Sequence, residues 1–188
     1  MGEVFRYVAD SALPAHRHSD LPCSICGAFG DVYYVCADIE EPDGSESPIS
    51  EACVACIRRL APEQVSRWAT EKRLPAYLKT TPEFDEPTVR ERLVAITQEL
   101  RRTPRLPHFV QGDDWPFCCG DLTEYTGEPS RAEAELLDRE GQYWDHKPAS
   151  FHDRAVTLVP SNDLAVLGGV SAFRCIGCGK RYWTFQCT

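Results

Sequence analysis

Cys23-Ser24-Ile25-Cys26-Gly27 and Cys53-Val54-Ala55-Cys56, two Cys-x-x-Cys pairs separated by 26 residues, decide how this chain folds. Each Cys-x-x-Cys turn aims two thiolates to one side. A second such turn completes a tetrahedron around one zinc ion, with zinc–sulfur bonds of about 2.3 Å. Gly27 suits the knuckle, because the residue after the second cysteine often needs a positive φ. Between the pairs, 31–37 (Asp-Val-Tyr-Tyr-Val-Cys-Ala) reads as a strand and Glu40 to Pro48, with its Asp43-Gly44, as the loop of a hairpin. Residues 1–60 therefore read as a zinc ribbon with Cys23, Cys26, Cys53 and Cys56 as ligands. Reduced, buried thiols would not account for the doubled spacing.

A second knuckle, Cys175-Ile176-Gly177-Cys178-Gly179, lies between strand-like runs at 170–174 and 181–185. Cys118, Cys119 and Cys187 compete to complete it. Adjacent residues on a strand point to opposite faces, so Cys118 and Cys119 can both ligate only where the chain turns. Pro116 before them and Gly120 after them make a turn plausible. The expected second site is Cys118, Cys119, Cys175 and Cys178, with Cys119 ranked ahead of Cys118 and Cys187, and two Zn²⁺ ions per chain. Cys36, in mid-strand, reads as a small buried hydrophobe.

The chain of 188 residues is long enough to bury a core, and its 43% hydrophobic and 26% charged composition is that of a globular protein. Ten cysteines without an export signal point to metal sites in the reducing cytosol rather than to disulfides. No apolar run approaches the roughly 20 residues of a membrane span. The expected fold is α+β: one domain over 1–188, with the ribbon at 1–60, a helical middle at 61–142 and a C-terminal knuckle hairpin at 143–188. Helices are expected from Pro62 to about Lys72, from about Pro87 to Arg101, and from Ser130 to near Gly141. Val89, Leu93, Ile96 and Leu100 repeat at helical spacing in the second. Ser130 with Glu133 forms a capping-box pattern in the third.

Acidic residues outnumber basic ones 29 to 20, and the excess is localised. From His18 to Ile57 there is no Lys or Arg, but Asp20, Asp31, Asp38, Glu40, Glu41, Asp43, Glu46 and Glu51 are present. Such a run is either a solvated face or a docking surface for a basic partner.

The succession of short motifs resembles the CbrC-like colicin-tolerance family of bacteria. The residues that carry it are Phe5-Arg6-Tyr7, Cys23-Ser24-Ile25-Cys26, Cys53-Val54-Ala55-Cys56, Arg102-Thr103-Pro104, Trp115 leading into Cys118-Cys119-Gly120-Asp121, and 173–180 (Phe-Arg-Cys-Ile-Gly-Cys-Gly-Lys). The chain departs from the family pattern after Tyr7, where Val8-Ala9 stands in place of His-Pro, and at Cys118, a position that is often His. The resemblance implies a small cytosolic bacterial protein linked to tolerance of a bacteriocin, with no enzymatic activity to transfer.

Three functions compete at this point. A metal-pinned binding protein would offer its acidic face to a basic partner, such as a toxin domain that grips phosphate. A zinc-dependent hydrolase would use an open position at the second site, with Asp121 or His108 as base. A zinc-ribbon nucleic-acid binder would use Arg58, Arg59, Arg67, Lys72 and Arg73 with Arg101, Arg102 and Arg105, although basic residues interspersed with Glu63 and Glu71 more often mark an ordinary helix face. The first reading is preferred, with nucleic acid and membrane not expected as partners. The sequence leaves the oligomeric state open.

Overall fold

The computed structural model describes residues 2–40, 45–60, 65, 68–107, 109, 114–144 and 169–185. Its first sheet has three antiparallel strands in the order β1 (Arg17–His18), β2 (Val32–Glu40) and β3 (Glu46–Cys53). The hairpin between the first two Cys-x-x-Cys pairs is thus present, and its strands run further than expected. Glu40 pairs with Glu46, so much of the anticipated 40–48 loop is strand. The register slips between Tyr34 and Ala37, a bulge that sets Val35 and Cys36 against Ser50. The strand end delivers Cys53 to the start of a single helical turn, α1 (Val54–Ile57).

Two helices follow. The first, α2 (Trp68–Lys79), continues well past Lys72, and the expected start at Pro62 lies outside the described residues. Pro75 inside it costs a backbone hydrogen bond, locally a stop signal of about 3 kcal/mol. Burial overrides that signal, because Thr70, Leu74 and Leu78, one turn apart, are all fully buried. The second, α3 (Glu86–Arg101), matches its expected span. Asp85 caps it by accepting the Thr88 N–H at 2.9 Å, and Val89, Ile96 and Leu100 face the core, with Leu93 packed beside them. Arg101 clamps the pair of helices through both oxygens of Glu71 at 2.7 and 2.8 Å.

A two-strand hairpin, β4 (Phe117–Cys118) with β5 (Asp121–Leu122), leads into a four-stranded sheet of order β6-β8-β9-β7. Here β8 (Val170–Arg174) and β9 (Arg181–Phe185) are the strands read from sequence on either side of the second knuckle. The short strands β6 (Glu124–Gly127) and β7 (Gln142–Tyr143) carried no such pattern. Between them, α4 (Arg131–Glu140) forms with its full capping box, Ser130 to the Glu133 N–H and Glu133 back to the Ser130 N–H. Leu137 of α4 packs with Val170, Ala172 and Trp183 in a small cluster of its own.

The main core is aromatic and joins both ends of the chain. Phe5, Tyr7, Trp115, Tyr125 and Phe173 are all fully buried, with Trp115 set edge-on to both Tyr7 and Phe173. Phe5-Arg6-Tyr7 is the link. Phe5 meets Tyr33 of the first sheet and lies under the Arg58 guanidinium next to α1. Arg6 and Tyr7 instead bind Asp121 of the second hairpin, the tyrosine hydroxyl donating at 2.7 Å. Three consecutive residues therefore tie the two cysteine-bearing regions to one another.

Candidate metal centres

The first centre begins with the knuckle. Gly27 N donates to the Cys23 carbonyl at 2.8 Å and Cys23 N to the Ala28 carbonyl at 2.9 Å, with Gly27 at φ +70°. That loop turns the Cys23 and Cys26 thiols to one side. The opposing pair sits at the head of α1, Cys53 as its N-cap and Cys56 within its single turn. The Cys53 N–H donates to Cys23 Sγ at 3.4 Å, and the Arg59 guanidinium to Cys56 Sγ at 3.5 Å.

The second centre repeats the knuckle. Gly179 N reaches the Cys175 carbonyl at 3.0 Å, Cys175 N the Lys180 carbonyl at 2.8 Å, and Gly179 has φ +73°. Even the flanking pairs correspond, Pro22 with Phe29 in one and Arg174 with Arg181 in the other. The opposing pair is built differently. Cys119 at φ +53° and Gly120 at φ +69° are the two central residues of the β4–β5 turn, the left-handed pair that a two-residue hairpin prefers. The turn lets neighbours 118 and 119 both reach the site, with Cys118 Sγ 3.8 Å from Cys119 Sγ and 3.6 Å from Cys178 Sγ. The Tyr182 hydroxyl donates to Cys118 Sγ at 3.1 Å. Cys187, the rival candidate, lies outside the described residues.

Within each group of four, the sulfurs all lie within 4.8 Å of one another, so Cys23, Cys26, Cys53 and Cys56 could hold one metal ion, and Cys118, Cys119, Cys175 and Cys178 another. The spacing fits: tetrahedral bonds of about 2.3 Å would separate the sulfurs by about 3.8 Å. The charge chemistry fits as well. Against the opposing effect of burial, the backbone N–H groups of Cys53, Cys26 and Ile25 bring the Cys23 thiol down to about 6. Burial, with the other three thiols and against the pull of Arg59, pushes Cys56 up to about 12. In the second centre burial again, with Cys175, Cys178 and Cys119 against Tyr182, pushes Cys118 up to about 12. There the Lys180 backbone N–H brings Cys178 down to about 7. Crowded thiols resist ionising together, and a bound dication is what would let all four carry charge.

Polar residues outside the two sets of four cysteines take different places. Asp121, the alternative base, accepts from Arg6, Tyr7 and the Leu122 N–H. His16 meets the Tyr125 hydroxyl at 3.0 Å. His18 is an exposed residue of β1. His108 lies outside the described residues, as does the side chain of Cys36. Arg59 and Tyr182, which donate to ligand sulfurs, were not singled out for that role. Arg59 stands three residues beyond Cys56 on a helical turn, a spacing that could have revealed it.

Two tetracysteine centres, each able to hold a metal ion, on a mixed frame of helices and strands define the class of this protein. No described helix is long and apolar enough to cross a membrane. The chain belongs to an uncharacterised protein family (UPF0167), whose model matches residues 3–187. Comparison with curated proteins and with solved structures finds no match.

Proposed function

We propose that this is a zinc-binding scaffold whose task is to capture another protein. The observation that carries this reading is the donor set: in both centres all four corners are filled by cysteine. A closed four-thiolate site supplies folding energy and has no free position at which to activate water, and tetrahedral sulfur favours zinc over harder ions. Each loaded centre would add a charge of about −2 to an already acidic chain. The partner that chemistry recommends is basic. The resemblance to the CbrC-like family makes a bacteriocin or toxin domain the natural case, met in the cytosol, where thiols stay reduced.

The alternatives have less support. Several arginines that could have gripped nucleic acid are spent on carboxylates, Arg58 on Glu99, Arg73 on Asp114 and Arg101 on Glu71. A hydrolase would need a vacated corner and a nearby base, and Asp121 is already engaged by Arg6 and Tyr7.

Elemental analysis with a native thiol count tests the metal half of the proposal, two zinc ions and eight protected thiols being the expected result. Association with a basic bacteriocin nuclease domain tests the other half. Neutralising Glu40, Glu41 and Asp43 together is expected to slow that association at low salt. An unchanged rate would remove the acidic surface from the mechanism.

A further inference from the structure

Three of the eight clustered cysteines are exposed, Cys26, Cys119 and Cys178, and their surroundings differ. Cys26 belongs to the first centre, where the Arg59 guanidinium donates to Cys56 Sγ at 3.5 Å. Cys178 belongs to the second, its N–H donating to Cys175 Sγ at 3.4 Å and its sulfur 3.6 Å from Cys118 Sγ. Cys119 Sγ lies 3.8 Å from Cys118 Sγ, and what sets this cysteine apart is the space beside it.

Cys119 borders an open pocket. The pocket, of about 520 Å³, is lined by Cys119 and Gly120 together with Tyr77, Thr81, Glu83 and Phe84. The Phe84 ring lies against Gly120, so close that a Cβ there would stand 2.4 Å from it. Behind the cysteine, Gly177 packs so tightly that a Cβ on it would sit 3.3 Å from Cys119 Cβ. The side chain is thus backed by the knuckle, and the left-handed turn presents it at the hairpin tip.

The geometry points to Cys119 as an alkyl acceptor, a metal-held thiolate that takes a small uncharged carbon group from a soft alkyl donor seated in the Tyr77–Phe84 cavity. This goes beyond the scaffold role and shares with it only the loaded second centre. Metal ligation keeps the thiolate deprotonated at neutral pH. A lone pair of Cys119 Sγ forms the sulfur–carbon bond as the bond from carbon to the leaving group breaks, and the leaving group departs with its electron pair. Nothing is oxidised and no proton moves. The centre loses one negative charge and keeps a thioether at that corner. The charge of the centre and the Glu83 carboxylate both disfavour anionic donors.

Iodoacetamide is the probe, used below one equivalent on the full zinc-loaded chain carrying Cys36→Ser and Cys187→Ser to silence the two thiols outside the centres. Peptide mapping by mass spectrometry reads the site of carbamidomethylation, and elemental analysis of the same sample reads the metal. Cys119 is expected to be modified at least about tenfold faster than any of the other seven cysteines. Thr81→Trp, which narrows the cavity and leaves every thiol in place, is expected to slow Cys119 by about fivefold with zinc content unchanged. Modification of Cys26 or Cys178 as fast as Cys119, or a Thr81→Trp rate equal to that of the parent, would overturn the assignment. A chain that holds no metal would instead overturn the scaffold reading, so the two failures are distinguishable.

Discussion

The two centres share one knuckle and differ in what closes it. In the first, the closing cysteines come from the head of a helical turn, where helical spacing brings Cys53 and Cys56 together without backbone strain. In the second, adjacent cysteines close the site, and that is possible only because Cys119 takes a left-handed conformation, which costs a non-glycine residue about 1 kcal/mol. Their surroundings follow the same division. The first centre buries Cys23 and Cys56 and leans on a cation, Arg59. The second buries Cys175 alone, leaves Cys119 and Cys178 exposed, and leans on the neutral hydroxyl of Tyr182. One arrangement is shielded and charge-compensated, the other open and electron-rich. A single chain thus shows how the same ligand count yields a protected centre or an accessible one, depending on the backbone that brings in the second pair.

Removing the metal is the most severe way to break the comparison. Structural zinc sites bind with apparent free energies of roughly 10–16 kcal/mol, as large as the roughly 5–15 kcal/mol by which an ordinary domain is stable. A strong chelator is therefore expected to unfold the chain, with the second centre emptied first because two of its four cysteines are exposed against one in the first. Circular dichroism followed alongside zinc release checks both the loss and its order, and simultaneous release would erase the distinction. Acid should act in the same direction. Each ligand must be a thiolate to bind, so falling pH protonates the sulfurs and releases the metal.

A finer cut targets the groups that donate to sulfur. Arg59→Ala is expected to weaken zinc binding at the first centre by about 10–100-fold and to leave the second unchanged. Tyr182→Phe should do the reverse, near the lower end of that range, since it removes a neutral donor and keeps the ring. Competition with a chromophoric chelator on single-centre variants would read each constant. A Tyr182→Phe loss larger than that of Arg59→Ala would mean that charge compensation is not what separates the two centres.

The glycines sharpen the comparison by showing where the two halves are the same. Gly27 and Gly179 have φ near +70° and nothing within 4 Å of an added Cβ. Alanine at either should cost only the left-handed penalty, about 1 kcal/mol, and equally in both knuckles. Gly120→Ala should cost more than either, because its methyl would run into Phe84 as well. Thermal melts of the three variants at full zinc loading decide this.

How far the fold was legible in the sequence follows from where its signals lie. Cysteine spacing is a local signal, so the six sulfurs of the three Cys-x-x-Cys pairs and the β8–β9 hairpin could be read directly. Helix caps are local too, which is why α3 and α4 appear where Asp85 and Ser130 put them. What escaped depends on distant partners. β7 exists because Gln142 and Tyr143 lie parallel to Tyr182 and Trp183, forty residues away, and two residues carry no periodicity of their own. The continuation of α2 through Pro75 is likewise set by burial of Leu74 and Leu78 rather than by local propensity. The closing of the second centre was the intermediate case. Pro116 and Gly120 hinted at a turn, but only the positive φ of Cys119 itself decides that both neighbours point inward.

An equally small effect belongs to the α4 cap, and it tests whether the two halves respond separately. Ser130 and its backbone N–H hold the Glu133 carboxyl below its usual range. A carboxylate whose folded value is depressed stabilises the native state above its unfolded value near 4.5, and that contribution fades as pH falls through the lower folded value. Ser130→Ala should therefore cost about 1 kcal/mol at neutral pH and progressively less in acid, where the parent loses the same interaction. Because α4 packs through Leu137 onto Val170, Ala172 and Trp183, the loosening should be felt on the side of the sheet that carries the second knuckle. Hydrogen exchange resolves it. Faster exchange is expected along β8 and β9, with β2 and β3 unchanged. Equal acceleration in both sheets would mean that the core bridged by Phe5-Arg6-Tyr7 couples the two centres more tightly than their separate architectures suggest.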